Sequence, residues 1–176
     1  MRRKLAVDID NTLWDLITPW LDYYNRRYND NIRYEEIVDY NFFNIIKTIT
    51  REEMLHLLSE KEFWDNVYPY PTSIPFLKKL NDEFELYIAT STSYKTPREK
   101  FDKLFTFFDF LDEDQLIVTS KKQLLNVDIM IDDCADCLIG GDYTKLLIDA
   151  PYNRNVKDNK IIRVYNLADA YNFLHA

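Results

Sequence analysis

Residues 5–15 read LAVDIDNTLWD. Leu5, Val7 and Ile9 alternate with Ala6, Asp8 and Asp10, the period of a β-strand over residues 4–9 with both carboxylates on one face. Like charges at i and i+2 repel, and burying each costs on the order of several kcal/mol. A strand with only a structural task has little reason to carry that cost. A divalent cation held by the two aspartates accounts for it.

The rest of the chain bounds what such a site can serve. At 176 residues it fits one domain, or one domain with a modest insertion. Hydrophobic residues make up 47% and charged residues 30%, which predicts a soluble, well-packed protein. No run approaches the ~20 apolar residues of a membrane span. The opening MRRK runs straight into the strand without an apolar stretch or a small-residue cleavage site, so the sequence reads as intracellular and cytoplasmic. The net charge of −8 argues against a nucleic-acid polymer as partner. A small phosphorylated substrate remains compatible, given a local positive site of metal and lysines. Cys134 and Cys137 form one CxxC, but a zinc site needs two more ligands and the only histidines are His56 and His175. The pair is expected to be reduced thiols.

Beyond the first strand a helical region is expected from about 15 to 67, then alternating helices and strands. Thr50 and Glu53 form a capping box for a helix over about 51–61. Ser73 caps a helix through Leu80, and Pro97 starts another. FELYIAT, QLIVT, VDIMID, KLLIDA and KIIRVYN read as strands, and LADAYNFLHA as a closing amphipathic helix. Alternation of this kind implies a mostly parallel α/β sheet with helices on both faces. Ligands bind such sheets outside the carboxyl ends of the strands. Those ends carry Asp8 and Asp10, Thr90 and Ser91, Lys121 and Lys122, and Asp132 and Asp133. Carboxylates, hydroxyls and a cation are the groups that phosphoryl transfer from a monoester requires, because that reaction depends on positioning and charge neutralisation.

DIDNT, Thr90–Ser91, Lys122 and Asp132–Asp133 resemble, in order, the four motifs of the haloacid dehalogenase (HAD) superfamily. KKQLLNVDIMIDDCAD (121–136), followed by LLIDAPYNRN (146–155), is similar to the 5'(3')-deoxyribonucleotidase family, cytosolic type C. The resemblance implies a HAD-like Rossmannoid core of residues 1–13 plus 72–176, with a small helical cap, residues 14–71, inserted after strand one. It implies a Mg²⁺-dependent phosphatase for (deoxy)ribonucleoside monophosphates. Asp8 would attack phosphorus and Asp10 would act as acid and base. Asp8, the backbone carbonyl of Asp10, and Asp132 would hold Mg²⁺, with Asp133 assisting. Thr90, Ser91 and Lys122 would bind the phosphate, and lysines in the region of Lys95 and Lys100 approach it in this family. Asn11 stands where the family usually has glycine, and asparagine tolerates a left-handed backbone.

Residues 14–70 hold 13 of the 27 aromatics, including all three tryptophans. An aromatic-rich cap offers faces for a nucleobase, with Phe42 and Phe43 as the stacking candidates. Taken one by one, the same aromatics also serve as bulky core residues. Asp136 either supports the metal or caps a helix, the cap being preferred, and His56 reads as a surface or packing residue. Two other readings remain open: a phosphatase for another small phosphoester such as a sugar phosphate, and a catalytically weak phosphate-binding protein. The preferred base, the phosphate position and the oligomeric state, with a homodimer as one option, are not readable from the chain.

Overall fold

A computed structural model describes residues 2–41, 45–46, 48–92 and 98–176. Among them six strands form one parallel sheet: β1 (Lys4–Val7), β2 (Glu85–Thr90), β3 (Leu116–Val118), β4 (Ile129–Asp132), β5 (Thr144–Ile148) and β6 (Ile161–Val164). Their order across the sheet is β3-β2-β1-β4-β5-β6. The chain winds outward one way from β1 through β2 to β3, then returns to β4 and winds the other way. The reversal falls between β1 and β4, which pair with Val7 opposite Ile131. A crevice at such a switch point is where this architecture binds ligands.

The helices are α1 (Ile17–Tyr28), α2 (Arg51–Leu57), α3 (Lys61–Trp64), α4 (Ser73–Glu83), α5 (Arg98–Phe107), α6 (Ala135–Leu138) and α7 (Leu167–Leu174). Both faces of the sheet are covered, but unequally. Leu5, Val7, Leu86, Ile88, Ile129, Ile131 and Leu146 point to one face and share a core with Leu77 and Leu80 of α4, Leu104 of α5 and Leu167 and Ala170 of α7. Each such fully buried Leu or Ile contributes about 1.5–3 kcal/mol. Ala6, Ala89, Met130 and Leu147 point to the other face, against Ala135 and Leu138 of the four-residue α6.

Several expected boundaries shift for local reasons. β1 ends at Val7 rather than Ile9, because the carbonyl of Ile9 accepts from the amides of Thr12 and Leu13 (3.3 and 2.8 Å) and turns the chain. The capping box of Thr50 and Glu53 is present, but α2 stops at Leu57. The carbonyl of Leu58 accepts from Trp64 Nε1 at 2.8 Å instead of continuing a helix. Ser73 lies inside α4, with Thr72 at the cap position, and its buried hydroxyl has no hydrogen-bond partner. Among the described residues the long helical region between β1 and α4 holds α1, α2 and α3, a 3-10 turn at Tyr34–Glu36 and connecting loops. Asp136 sits exposed in the first turn of α6, whose cap position is Cys134, so it neither caps that helix nor joins the buried acidic group.

In the segment between β1 and α4, Trp14, Trp20, Tyr24, Phe63 and Trp64 are buried and continuous with the sheet's main core. Trp20 stacks on Tyr24 with centroids 5.3 Å apart, and Trp14 meets Trp64 edge-on at 6.2 Å. Much of the aromatic excess is therefore packing. All three tryptophans are spent inside.

Candidate active site

Asp8 is the first residue beyond β1. Its amide donates to the carbonyl of Ile131 at 2.9 Å, so the last rung of the β1–β4 ladder sets it beside Asp132. Asp8, Asp132 and Asp133 are all buried, and one oxygen from each lies within 4.8 Å of the others. Lys122 begins the 3-10 turn Lys122–Leu124, beyond the end of β3. Its ammonium reaches back under the switch point, 2.5 Å from Asp8 Oδ1 and 2.7 Å from Asp132 Oδ2. Burial alone would lower the Lys122 pKa, but the two carboxylates outweigh burial and hold the ammonium charged. Lys121 is exposed. The amide of Cys134 donates to Asp132 Oδ1 at 2.9 Å, leaving Oδ2 to the lysine.

A second ion pair lies alongside. The Asp10 carboxylate turns away from the other three: Oδ1 accepts from Trp14 Nε1 at 3.0 Å, and Oδ2 from Lys100 Nζ at 2.5 Å. Lys100, buried on α5, also donates to Thr90 Oγ1 at 3.1 Å. The Asp10 side chain is not part of the buried acidic group.

The loop between Asp8 and α1 is shaped by Asn11. Its φ of 55° lies in the left-handed region. Its Oδ1 accepts from the amides of Leu16 and Ile17 at 3.1 and 3.2 Å, supplying the start of α1 with partners that its own cap residue lacks. Asparagine tolerates this turn and adds a cap for α1.

Among the described residues four carboxylates, of Asp8, Asp10, Asp132 and Asp133, face two ammoniums, of Lys100 and Lys122. The surplus is felt locally. Burial raises Asp8, Lys122 pulls it down, and Asp132 and Asp10 push it up again, to about 7. Burial, with Asp132 and Asp8, raises Asp133 well above the ordinary carboxylate range. Hard oxygen donors carrying an uncompensated negative charge fit a divalent cation such as Mg²⁺.

Thr90 ends β2 fully buried, and Ser91 follows it exposed. Lys95, Phe42 and Phe43 lie outside the described residues. His56 is exposed on α2 and His175 pairs with Glu83, both away from the strand ends. Cys134 and Cys137 are free thiols with sulfurs 2.7 Å apart.

Tyrosines that the sequence reading passed over surround Asp133. The Tyr152 hydroxyl donates to Asp133 Oδ2. The Tyr40 ring meets Tyr152 edge-on at 5.7 Å. Burial, with the charges of Asp133 and Asp15 among its neighbours, raises Tyr34 to about 12 and raises Tyr70 as well. Tyr40 leaves half its surface exposed, yet burial around its hydroxyl and the charge of Asp133 raise it too. Nothing in the spacing of Tyr34, Tyr40, Tyr70 and Tyr152 announces that they converge; only the three-dimensional chain path does.

Residues 2–176 match the family described as 5' nucleotidase, deoxy (pyrimidine), cytosolic type C protein. A 5'(3')-deoxyribonucleotidase of Clostridium acetobutylicum is 28% identical over 166 residues, covering 94% of this chain and 91% of its own. One from Bacillus subtilis is 29% identical over 168 residues, covering 94% and 95%. Among solved structures, a haloacid dehalogenase-like family hydrolase of Streptococcus pneumoniae superimposes with a TM-score of 0.62 at 14% identity, covering 98% of each chain, a likeness of fold. Among the described residues no helix is long and apolar enough to cross a membrane.

Proposed function

The chain belongs to the 5' nucleotidase, deoxy (pyrimidine), cytosolic type C family of the haloacid dehalogenase superfamily, and from that premise we propose that it is a cytoplasmic, Mg²⁺-dependent phosphatase. It hydrolyses (deoxy)ribonucleoside monophosphates to nucleoside and phosphate through an aspartyl-phosphate on Asp8. The observation that carries this reading is the buried Asp8 carboxylate, braced by Lys122 beside Asp132, with the separately held Asp10 two residues on. Relatives of similar length that bear the 5'(3')-deoxyribonucleotidase name support the substrate class.

Asp8, Asp132 and the backbone carbonyl of Asp10 would hold the Mg²⁺, with Asp133 supporting them. When bound, the cation neutralises carboxylate and phosphate charge and so lets an anionic nucleophile meet an anionic substrate. Lys122 keeps one Asp8 oxygen fixed and leaves the other for attack on phosphorus. The bond from phosphorus to the ester oxygen breaks as the bond to Asp8 forms. The departing oxygen takes a proton from the Asp10 carboxyl, releasing nucleoside. Asp10, now ionised, removes a proton from water, whose oxygen attacks the same phosphorus. Phosphate leaves and the Asp8 carboxylate returns.

Lys100 lies between Asp10 and Thr90, the two groups that would flank the transferring phosphoryl. A phosphate there competes for its ammonium. Lys100 is placed to pass from Asp10 Oδ2 to the phosphate oxygens. Thr90 and the amide of Ser91 supply further donors, and Lys95 adds charge. Residues 14–71 act as a cap over this site, with Phe42 and Phe43 as stacking faces for the base.

Phosphate release with Mg²⁺ from dUMP, dTMP, dGMP, 3'-dUMP, UMP and several sugar phosphates, with an EDTA control, tests the proposal. Metal-dependent release favouring nucleotides is expected. Preference for sugar phosphates would keep the chemistry and overturn the role given to the cap.

A further inference from the structure

Tyr152 and Asn153 take no part in these steps, yet both are buried and both act on Asp133. They lie on the short 3-10 turn Pro151–Asn153 that follows β5. The Tyr152 hydroxyl donates to Asp133 Oδ2, and Asn153 Nδ2 donates to the Asp133 carbonyl at 2.8 Å. The side chain and the main chain of the same aspartate are thus held from one turn.

That turn is itself held. The second Asn153 Nδ2 proton goes to the carbonyl of Ile148 at 2.7 Å, joining the ends of β4 and β5. Asn153 Oδ1 accepts from the amide of Ala150 at 3.1 Å and from Arg163 Nη1 at 2.6 Å. Two donations and two acceptances use the whole capacity of the amide, and a flipped amide would set donor against donor at both acceptor contacts. Arg163, on β6, also donates through Nη2 to the Asn153 carbonyl at 3.0 Å and through Nη1 to Asp149 Oδ1 at 2.8 Å. A buried polar network with every member paired fixes one geometry. The Tyr152 ring is fixed as well, by its edge-on contact with Tyr40.

We propose that the Pro151–Asn153 turn, locked by Arg163, is a positioning clamp on Asp133 that sets the affinity of the Asp8–Asp132–Asp133 group for its divalent cation. Tyr152 and Asn153 are positioning residues in this role. Because Tyr152 also bears the Tyr40 contact, the segment between β1 and α4 leans on the same clamp. The inference rests on the metal reading above, and its test separates the two.

Mg²⁺ titrated calorimetrically into the metal-free full chain, with no substrate present, reads the clamp directly. Tyr152→Phe removes only the hydroxyl and keeps the ring. It is expected to bind Mg²⁺ about 10-fold more weakly than wild type, the lower end of the loss when a group that orients the metal-binding residues goes. Excess Mg²⁺ is expected to recover its kcat, which a general structural defect would not allow, although the lost buried hydrogen bond lowers its metal-free melting temperature by a few degrees. Wild-type Mg²⁺ affinity in Tyr152→Phe overturns the clamp while leaving the metal site standing. A wild-type chain that binds no Mg²⁺ overturns both.

Discussion

The Lys100 ammonium lies 2.5 Å from Asp10 Oδ2 although 90 residues separate them in sequence. α5 carries the lysine and the turn after β1 carries the aspartate; the parallel pairing of β1 with β2 brings these regions to the same end of the sheet. In the proposed reaction this buried cation stands between the acid–base Asp10 and the phosphate-binding Thr90. Lys100→Gln keeps a hydrogen-bonding head and removes the charge. It is expected to lower kcat about 10²-fold, the order typical of one preorganised transition-state group. Steady-state kinetics on a deoxynucleotide check this, and a kcat within twofold of wild type would remove Lys100 from the reaction.

Asp8→Asn is expected to reduce turnover by about 10⁴-fold or more, because the amide cannot form the acyl-phosphate bond. The same change should not harm the metal-free fold. Asp8 is buried with a raised pKa, so its ionised form is a burden to the folded chain near neutral pH, and Lys122 keeps Asp132 as a partner. A melting temperature at pH 8 equal to or above wild type is expected, a trade of stability for function. Scanning calorimetry of both metal-free proteins decides it.

The pH dependence of stability follows from the same aspartate. Burial, with the carboxylates of Asp132 and Asp10 against the pull of Lys122, raises Asp8 from 3.8 to about 7. The folded chain therefore binds this proton more tightly than the unfolded chain. The stabilisation is complete below about pH 3.8 and is lost progressively as pH rises through about 7. The melting temperature of metal-free wild type relative to Asp8→Asn should fall between pH 5 and pH 8. The proposed Mg²⁺ site requires ionised carboxylates, so the stabilising effect of Mg²⁺ on wild type should be larger at pH 8 than at pH 5. Melting curves at both pH values, with and without Mg²⁺, measure each difference.

Much of this site is legible in the chain because strand period and strand-end chemistry are local. Asp8, Thr90, Asp132 and Asp133 mark themselves by following apolar runs, and parallel order brings those ends together. Lys122 is harder to place, since it reaches the site through a turn four residues beyond its strand. The reading of the segment after β1 is coarser still. Composition registers an excess of aromatics but not which of them face inward, and the buried tryptophans carry no different signal from the tyrosines around Asp133. Arg163 could not have been found this way. It reaches Asn153 only because β6 pairs with β5, a long-range relation that no local pattern encodes.

Asn11 offers a test in which two local effects separate. The residue supplies a left-handed turn, φ 55°, and two hydrogen bonds from Oδ1 to the amides that open α1. Asn11→Gly keeps the turn and loses the bonds, so it should cost about 1 kcal/mol, the net worth of a typical intramolecular hydrogen bond. Asn11→Ala loses the bonds and adds the strain of an ordinary residue in the left-handed region, roughly 1–2 kcal/mol more. Urea denaturation should therefore rank wild type above Asn11→Gly and Asn11→Gly above Asn11→Ala. Should glycine equal wild type, the Oδ1 bonds contribute nothing net and asparagine is there only for its backbone. Should alanine equal glycine, the turn relaxes without strain, and the placement of Asp8 and Asp10, which precede it, does not depend on the left-handed residue.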